Sequence, residues 1–154
     1  MEDRVRRRLA ELGLTLHGPH PPHDPLDAVV VHEGTARTSG QLPRIAGELT
    51  CRGRLGDTVG VEEGRAAAEV CALNALAVLE AALGSLDRVR RVLTVTGYVA
   101  STPDFDQQPA VVDGASDLLY RVFGDDGRHT RSAVGVAALP RGGAVEIEVT
   151  VAIR

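Results

Sequence analysis

The sequence predicts an α+β domain in which two main helices pack on one face of a β-rich sheet. Two long helical patterns, Val61–Leu83 and Phe105–Phe123, alternate along the chain with runs rich in β-branched residues. The chain has 154 residues, the size of one ordinary domain with one hydrophobic core. No linker, repeat or low-complexity block divides the sequence, so we predict a single domain over residues 1–154.

The chain opens with a short amphipathic pattern. Residues 2–12 place Val5, Leu9 and Leu12 at helical intervals, which predicts a helix with one apolar side. Together with the stretch that follows it, this helix forms an amino-terminal segment, residues 1–25, ahead of the rest of the domain.

The stretch HGPHPPHDP, residues 17–25, is predicted to be an extended arm. Its four prolines exclude both a helix interior and a central strand. His17, His20 and His23 have a three-residue spacing that brings ligands together only on a helix, which the prolines prevent. We therefore predict no metal site here.

Five strands and two helices are predicted in the remainder of the chain. In order they are strands Ala28–His32 and Thr35–Ser39, helix Val61–Leu83, strand Val89–Ala100, helix Phe105–Phe123, and strands Arg131–Leu139 and Ala144–Ile153. Ser101-Thr102-Pro103-Asp104 offers a turn and a cap before the second helix. Glu33-Gly34 and Pro140-Arg141-Gly142-Gly143 are glycine-bearing connections that favour hairpins. We therefore predict one hairpin at the start of the sheet and another at its end.

The last two predicted strands indicate assembly. In the final strand, apolar and polar residues alternate, so a strongly apolar face and a polar face lie back to back. In the preceding strand, the face that carries Arg131 otherwise has unusually small residues, Ala133 and Gly135. If the helices cover one face of the sheet, the other is either covered by partner subunits or left in contact with water.

Composition narrows the range of partners. The formal net charge is −4, the basic residues are scattered, and the chain has two Phe, two Tyr and no Trp, which disfavours nucleic acid as a partner. Two cysteines are too few for a disulfide framework. Because we find neither a signal-peptide pattern nor a run of about 18 apolar residues, we expect a cytoplasmic protein without membrane contact.

Several short sequence strings along the chain are characteristic when their order and spacing are taken together. They are Thr38-Ser39-Gly40-Gln41-Leu42-Pro43, Leu73-Asn74-Ala75-Leu76, Tyr98-Val99 before Asp104-Phe105, Thr130-Arg131-Ser132-Ala133-Val134, Leu139-Pro140 and Glu146-Ile147-Glu148. In order and spacing these strings resemble the YjgF/RidA family, over the chain from the region of Ala28 to the C-terminus. The resemblance implies a chorismate-mutase-like α+β fold with a mixed sheet. It also implies a homotrimer with an inner barrel-like surface and three clefts between subunits.

The resemblance further implies an activity. The best-studied members hydrolyse reactive enamines of the 2-aminoacrylate type, through their imine tautomers, to 2-oxo acids and ammonia. Arg131 stands where those members keep the arginine that holds the substrate carboxylate, and Glu146 where they keep the acid that orients the hydrolytic water. Gly40 lies in the segment that the family places on the cleft wall. Other members carry the names endoribonuclease L-PSP or translation inhibitor.

The chemistry of these residue types agrees with the resemblance. A guanidinium pairs both oxygens of a carboxylate and stays charged, so Arg131 could hold a 2-imino acid in one orientation. A glutamate in a partly dry cleft could accept the proton of an attacking water and return it to nitrogen. Because an imine carbon is already electrophilic, positioning could suffice, and we predict neither a metal nor an organic cofactor.

Three positions depart from the family pattern. No tyrosine precedes Tyr98, Ser116 stands approximately where the family keeps an asparagine, and Ala133 where it keeps a cysteine. We include Ser116 and Ala133 with Arg131 and Gly40 in the predicted substrate-binding set. The departures leave open a trimer that binds small carboxylated metabolites without converting them, or a hydrolase of an unrelated substrate. Ribonuclease activity is disfavoured by the charge, and chorismate mutase activity because a fold alone carries no function.

Two structural interpretations also remain open at this point. Arg131 could be an ion-pair partner of Glu146 or Glu148 at a trimer contact, because the same fork geometry favours arginine in interfaces. Glu146 could belong simply to the polar face of its strand.

Overall fold

The computed structural model describes residues 3–154 and shows a five-stranded sheet with helices against one of its faces. The helices are α1 (Arg4–Glu11), α2 (Val61–Leu83) and α3 (Gln108–Phe123). The strands are β1 (Val29–His32), β2 (Thr35–Thr38), β3 (Arg44–Ile45), β4 (Glu48–Leu49), β5 (Val89–Ala100), β6 (Thr130–Val136) and β7 (Val145–Ile153). The main sheet has the order β1-β2-β7-β5-β6, and β3 and β4 form a separate pair. β5 and β6 are parallel and the other neighbours are antiparallel, so the sheet is mixed as predicted.

The alternation along β7 shows which face of the sheet the helices cover. Val145, Ile147, Val149 and Val151 are buried in the core, and β7 packs against α2. A Cβ placed on Gly97 of the neighbouring β5 would contact Val112 of α3, which puts α3 on the same face. The opposite face carries the polar residues of β7. The predicted arrangement of two main helices on one face is therefore confirmed.

Helix α2 begins and ends where the sequence predicts. The Gly60 amide donates to the Glu63 side chain at 3.3 Å, which satisfies an amide that the helix itself leaves free. At the other end, Gly84 has φ 84°, a left-handed conformation that glycine adopts without a Cβ penalty. By length and composition α2 could cross a membrane, but 67% of its most apolar window is buried inside this fold, as in the core helix of a globular protein.

The amino-terminal hairpin and helix also follow the sequence. β1 and β2 pair in antiparallel register through Glu33 and Gly34, both with positive φ. α1 lies within the predicted range, whose first position, Glu2, falls outside the described residues. The arm over residues 17–25 contains neither helix nor strand.

The predicted hairpin at the end of the sheet is wrong. β6 pairs in parallel with β5, whereas β7 lies on the other side of β5 and pairs antiparallel with both β5 and β2. The intervening turn, Pro140–Gly142, crosses the end of β5, where the Ala100 amide donates to the Ala144 carbonyl. Alternating residues and a glycine turn specify two strands, but they do not specify which strands pair.

The second main helix also starts later than predicted. Instead of capping the helix, Thr102 donates its hydroxyl to Asp104 in a local turn, and α3 begins at Gln108 with Pro109 in its first turn. Proline fits this position because the first helical amides have no acceptor within the helix.

Candidate functional site

Arg131 lies on the edge strand β6 and points toward α3. It is the register partner of Val95, which is fully buried on the helix-covered face. Its Nη1 donates to Asp113 Oδ1 at 2.8 Å and to Ser116 Oγ at 3.2 Å, and its side chain is 22% exposed. Within the described part of the chain, the bonds to the Arg131 side chain all use Nη1. One arm of the guanidinium is therefore fixed while Nε and Nη2 remain available.

A second set of hydrogen bonds involves Ser116 and His129. Ser116 Oγ lies 2.9 Å from His129 Nε2, and His129 Nδ1 lies 2.6 Å from the Gly127 carbonyl oxygen. A carbonyl only accepts, so Nδ1 carries the hydrogen, and in the neutral imidazole Nε2 accepts from the Ser116 hydroxyl. Ser116 thus donates to His129 and accepts from Arg131.

Gly127 makes this arrangement possible. It follows α3 in a short turn, Gly124–Gly127, and a Cβ at this position would overlap the Leu119 carbonyl of α3. A glycine therefore lets the backbone approach the helix closely and brings the Gly127 carbonyl and His129 beside Ser116.

These residues line an open cleft of about 420 Å³ between α3, the turn Gly124–Gly127 and β6. Its lining residues are Asp113, Ser116, Asp117, Tyr120, Gly127, Arg128, His129 and Arg131. The volume is in the range of small-molecule sites. The lining carries two carboxylates, two guanidinium groups, an imidazole and a phenol ring, so it can hold a small polar ligand with an apolar part.

Glu146 and Gly40 form a second group on the opposite face of the sheet. Gln41 and Ile147 exchange backbone hydrogen bonds at 2.8 and 3.0 Å, which brings Gly40 alongside Glu146. A Cβ on Gly40 would lie 2.5 Å from Glu146 Oε2, so any other residue at position 40 would require the Glu146 side chain to move. Burial, and next the charge of Glu148, raise the pKa of Glu146.

Neighbouring side chains hold Glu148 beside this group. The Tyr98 hydroxyl donates to Glu148 Oε1 at 3.2 Å, and Arg37 Nη2 lies 3.8 Å from the same oxygen. Tyr98 and Glu146 are register partners on β5 and β7, so the polar face of the sheet concentrates carboxylates beside one tyrosine.

The predicted site residues therefore fall into two groups rather than one. Arg131, Ser116 and the half-buried Ala133 belong to the helix-covered face, where Ala133 lies one strand repeat beyond Arg131. Gly40 and Glu146 belong to the other face. Within one chain, the ion-pair partner of Arg131 is Asp113, not Glu146 or Glu148.

Sequence reasoning missed Asp113 and His129. A signal for Asp113 was present, because it recurs with Ser116, Asp117 and Tyr120 at three- and four-residue steps on α3 and so marks a polar stripe. His129 precedes Arg131 by two residues, the repeat that places side chains on one face of a strand. Only the fold shows that these two patterns converge.

The histidine-rich arm brings together no metal-binding set. Over residues 3–154, no three His, Cys, Asp or Glu side chains come close enough to hold a metal ion. Burial, and then the charges of Arg44 and Arg141, lower the pKa of His20.

The sheet, the helices on one of its faces and the arginine cleft define an α+β protein of the chorismate-mutase-like class. The family described as "YjgF/chorismate mutase-like, putative endoribonuclease" matches residues 16–146. This chain belongs to that family. Protein TCP17 of Trypanosoma cruzi is 44% identical to it over 151 residues, which cover 96% of this chain and 93% of TCP17.

Three solved structures have folds similar to that of this chain. Atu1372 from Agrobacterium tumefaciens, a protein of unknown function, has a TM-score of 0.91 and 41% identity, with 99% of this chain and 94% of that chain covered. A protein from Shewanella oneidensis MR-1 described as a "putative endoribonuclease" has a TM-score of 0.93 and 30% identity, with 97% and 99% covered. E. coli TdcF with bound serine has a TM-score of 0.59 and 24% identity, with 91% and 95% covered, and shows likeness of fold alone.

Proposed function

We propose that this protein hydrolyses small enamine and imine acids of the 2-aminoacrylate type to 2-oxo acids and ammonia. The reaction takes place in clefts between the subunits of a homotrimer. The observation that carries the proposal is the Arg131 side chain, which lines a cleft of about 420 Å³ and whose hydrogen bonds to Asp113 and Ser116 use Nη1 and leave Nε and Nη2 available.

Arg131 binds the substrate carboxylate. The two remaining nitrogens form one side of the planar guanidinium fork, which matches the two oxygens of a carboxylate. Because the Asp113 contact fixes the other side of the fork, the bound carboxylate has a defined orientation. The imine carbon, one bond away from the carboxylate, is then held at a fixed distance from the sheet edge.

Glu146 activates the water. It stands on the face of the sheet opposite Arg131, so a second copy of the chain supplies it to a given cleft. Its raised pKa makes it a stronger base than an ordinary glutamate. The carboxylate accepts the water proton as the oxygen attacks the imine carbon, and returns it to nitrogen as ammonia leaves.

The proposal is tested with enamines generated in situ by a dehydratase acting on serine or threonine. Release of 2-oxo acid and ammonia is compared for the wild type, Arg131→Gln and a control, Arg90→Ala, which removes an exposed arginine of β5. We expect acceleration above the spontaneous rate, a loss of about 100-fold in kcat/KM for Arg131→Gln, and no change for the control. A folded wild type that fails to accelerate the reaction rejects the proposal for these substrates.

A binding protein without turnover is the second candidate. One observation favours it. Tyr98 is the register partner of Glu146, but its hydroxyl is bonded to Glu148 and not to Glu146, the proposed base. Calorimetric titration with 2-oxo acids and serine separates the two functions. Binding that depends on Arg131, in a protein that does not accelerate hydrolysis, supports the binding role.

A further inference from the structure

We propose that Ser116 is an activated nucleophile with His129 as its general base, and that this pair hydrolyses small esters that carry a carboxylate. This activity goes beyond the deamination proposed above. It uses the cleft on the helix-covered face of one chain, and it needs neither Glu146 nor a second copy.

The hydrogen bonds around Ser116 differ from those usual for a serine inside a helix. Such a serine commonly bonds back to a carbonyl of the preceding turn or points to water. Ser116 instead reaches out of α3 to His129 Nε2 at 2.9 Å. The Gly127 carbonyl fixes the imidazole through Nδ1 at 2.6 Å, which leaves Nε2 free to accept the serine proton.

This arrangement meets the geometric requirement for nucleophilic catalysis. A nucleophile within hydrogen-bond reach of a base, with the base oriented by a third group, is the general pattern of activated serines. Gly127 acts as the orienting group here. Both Ser116 and His129 line the open cleft and are only partly buried, so a substrate can reach the serine oxygen.

Arg131 supplies what a serine and a histidine lack. Its Nη1 donates to Ser116 Oγ at 3.2 Å, which places a positive charge beside the attacking oxygen and favours the negative charge that develops as the ester carbonyl carbon is attacked. Its Nε and Nη2 can hold a carboxylate elsewhere on the same molecule. The cleft therefore selects a short ester with a carboxylate at one end.

A purely structural hydrogen bond has a different setting in this protein. Asn74 is 8% exposed, and its Nδ2 donates to the Leu42 and Arg44 carbonyls, which ties a loop to α2. Ser116 and His129 instead face a cleft and share it with a charged group. The contrast favours a chemical role for the pair.

The proposed ester hydrolysis consumes only the ester and one water molecule. Ser116 Oγ bonds to the ester carbonyl carbon as its proton passes to His129 Nε2. When the intermediate collapses, the bond to the leaving alcohol breaks and the alcohol takes that proton. Water then adds to the acyl-serine, gives a proton to His129, and releases the acid as Ser116 Oγ regains its proton.

The test uses mono-p-nitrophenyl succinate, an activated ester with a free carboxylate, on the full-length protein. The uncharged p-nitrophenyl butyrate is the comparison. The reaction is quenched within the first turnover, the intact mass is measured, and the modified peptide is sequenced. Ser116→Ala and His129→Gln are compared with Ser132→Ala, which removes an exposed serine of β6, and circular dichroism checks that each variant is folded.

We expect one succinyl group per chain, located on Ser116, and faster acylation by the charged ester than by the uncharged one. His129→Gln should slow acylation by about 100-fold or more, and Ser132→Ala should leave it unchanged. A wild type that gives no adduct, or an adduct on another residue, overturns the proposal. Equal labelling of folded wild type and His129→Gln overturns it as well. Since the deamination assay uses different substrates, its outcome is independent of this one.

Discussion

Arg131 illustrates how the role of one side chain depends on which of its atoms are already bonded. The sequence identifies the residue, but not that Asp113 and Ser116 occupy Nη1 and leave the rest of the fork available. A fork with every nitrogen paired inside the chain would have no capacity for a ligand. The same reasoning applies to Ser116, whose hydroxyl would be unremarkable without the histidine beside it.

Asp87 shows the same dependence in a residue far from the cleft. Its carboxylate accepts from the amides of Arg4 and Val5, both at 2.9 Å, and so caps the first turn of α1. Burial opposes its ionisation, but the hydrogen bonds from Val5 and Arg4 and the charges of Arg4 and Arg7 together outweigh burial, so the pKa of Asp87 lies below its ordinary value of 3.8.

We predict that Asp87→Asn lowers the free energy of unfolding at pH 7 by about 1 kcal/mol, because an amide side chain has one acceptor oxygen for the two helix amides that Asp87 now accepts from. Since the folded pKa is depressed, this stability is present above pH 3.8 and is lost as the pH falls through the folded pKa. Urea unfolding at pH 7 and at lower pH measures both effects. Asp106→Asn, at an exposed position, is the control, and an equal loss in both variants would contradict the assignment.

At the scale of elements, the contact between α2 and α3 positions the cleft. Gly114 of α3 faces the backbone of α2 at Arg65, so closely that a Cβ would overlap the Arg65 carbonyl oxygen. The spacing between the two helices fixes the height of Asp113 and Ser116 above the sheet. Any substitution that pushes α3 away should therefore change stability and the cleft together.

Gly114→Ala tests this contact. We expect a loss of about 1–3 kcal/mol in the free energy of unfolding, because an added methyl group in a packed interface forces backbone shifts. The matched control is Gly18→Ala, where a Cβ meets no atom within 4 Å. The measurement is the denaturant midpoint of unfolding for each variant. Equal midpoints for the two variants would show that the helices can separate without cost.

At this scale, local sequence patterns predict the bounds of the longest elements but not the pairing of the strands. The 23 residues of α2 and the 12 of β5 have the predicted boundaries, because each carries a long and consistent local pattern. The pairing of β6 was predicted wrongly, since a β-strand has the same alternation whichever neighbour it joins. β6 pairs with β5 because α3 connects them as a crossover, which makes the two strands parallel.

At the scale of the whole molecule, the two groups of site residues lie on opposite faces of one sheet. Arg131 and Ser116 face the helices, and Glu146 and Gly40 face the other way. A cleft that contains both Arg131 and Glu146 therefore has to be made from two chains. The proposed trimer supplies such a cleft three times.

Mixing of variants tests this arrangement. Arg131→Gln and Glu146→Gln, each inactive alone, should recover activity when they are unfolded together and refolded as mixed trimers. For random 1:1 mixing, about one quarter of the clefts receive both an intact arginine and an intact glutamate. The measurement is the deamination rate of the mixture against that of each variant refolded alone. No recovery in mixed trimers would place both residues in the same chain's site.

The sequence alone determined the family, the mixed α+β architecture and the limits of the longest elements, because these follow from local periodicity and from motifs in order, and it predicted Arg131 as a site residue. Only the tertiary structure decided that β6 joins β5, that Asp113 and His129 meet at Ser116, and that Glu146 lies on the far face from Arg131. The physical reason is that local pattern sets which face of an element a residue occupies, whereas packing between distant segments sets which residues share a cleft.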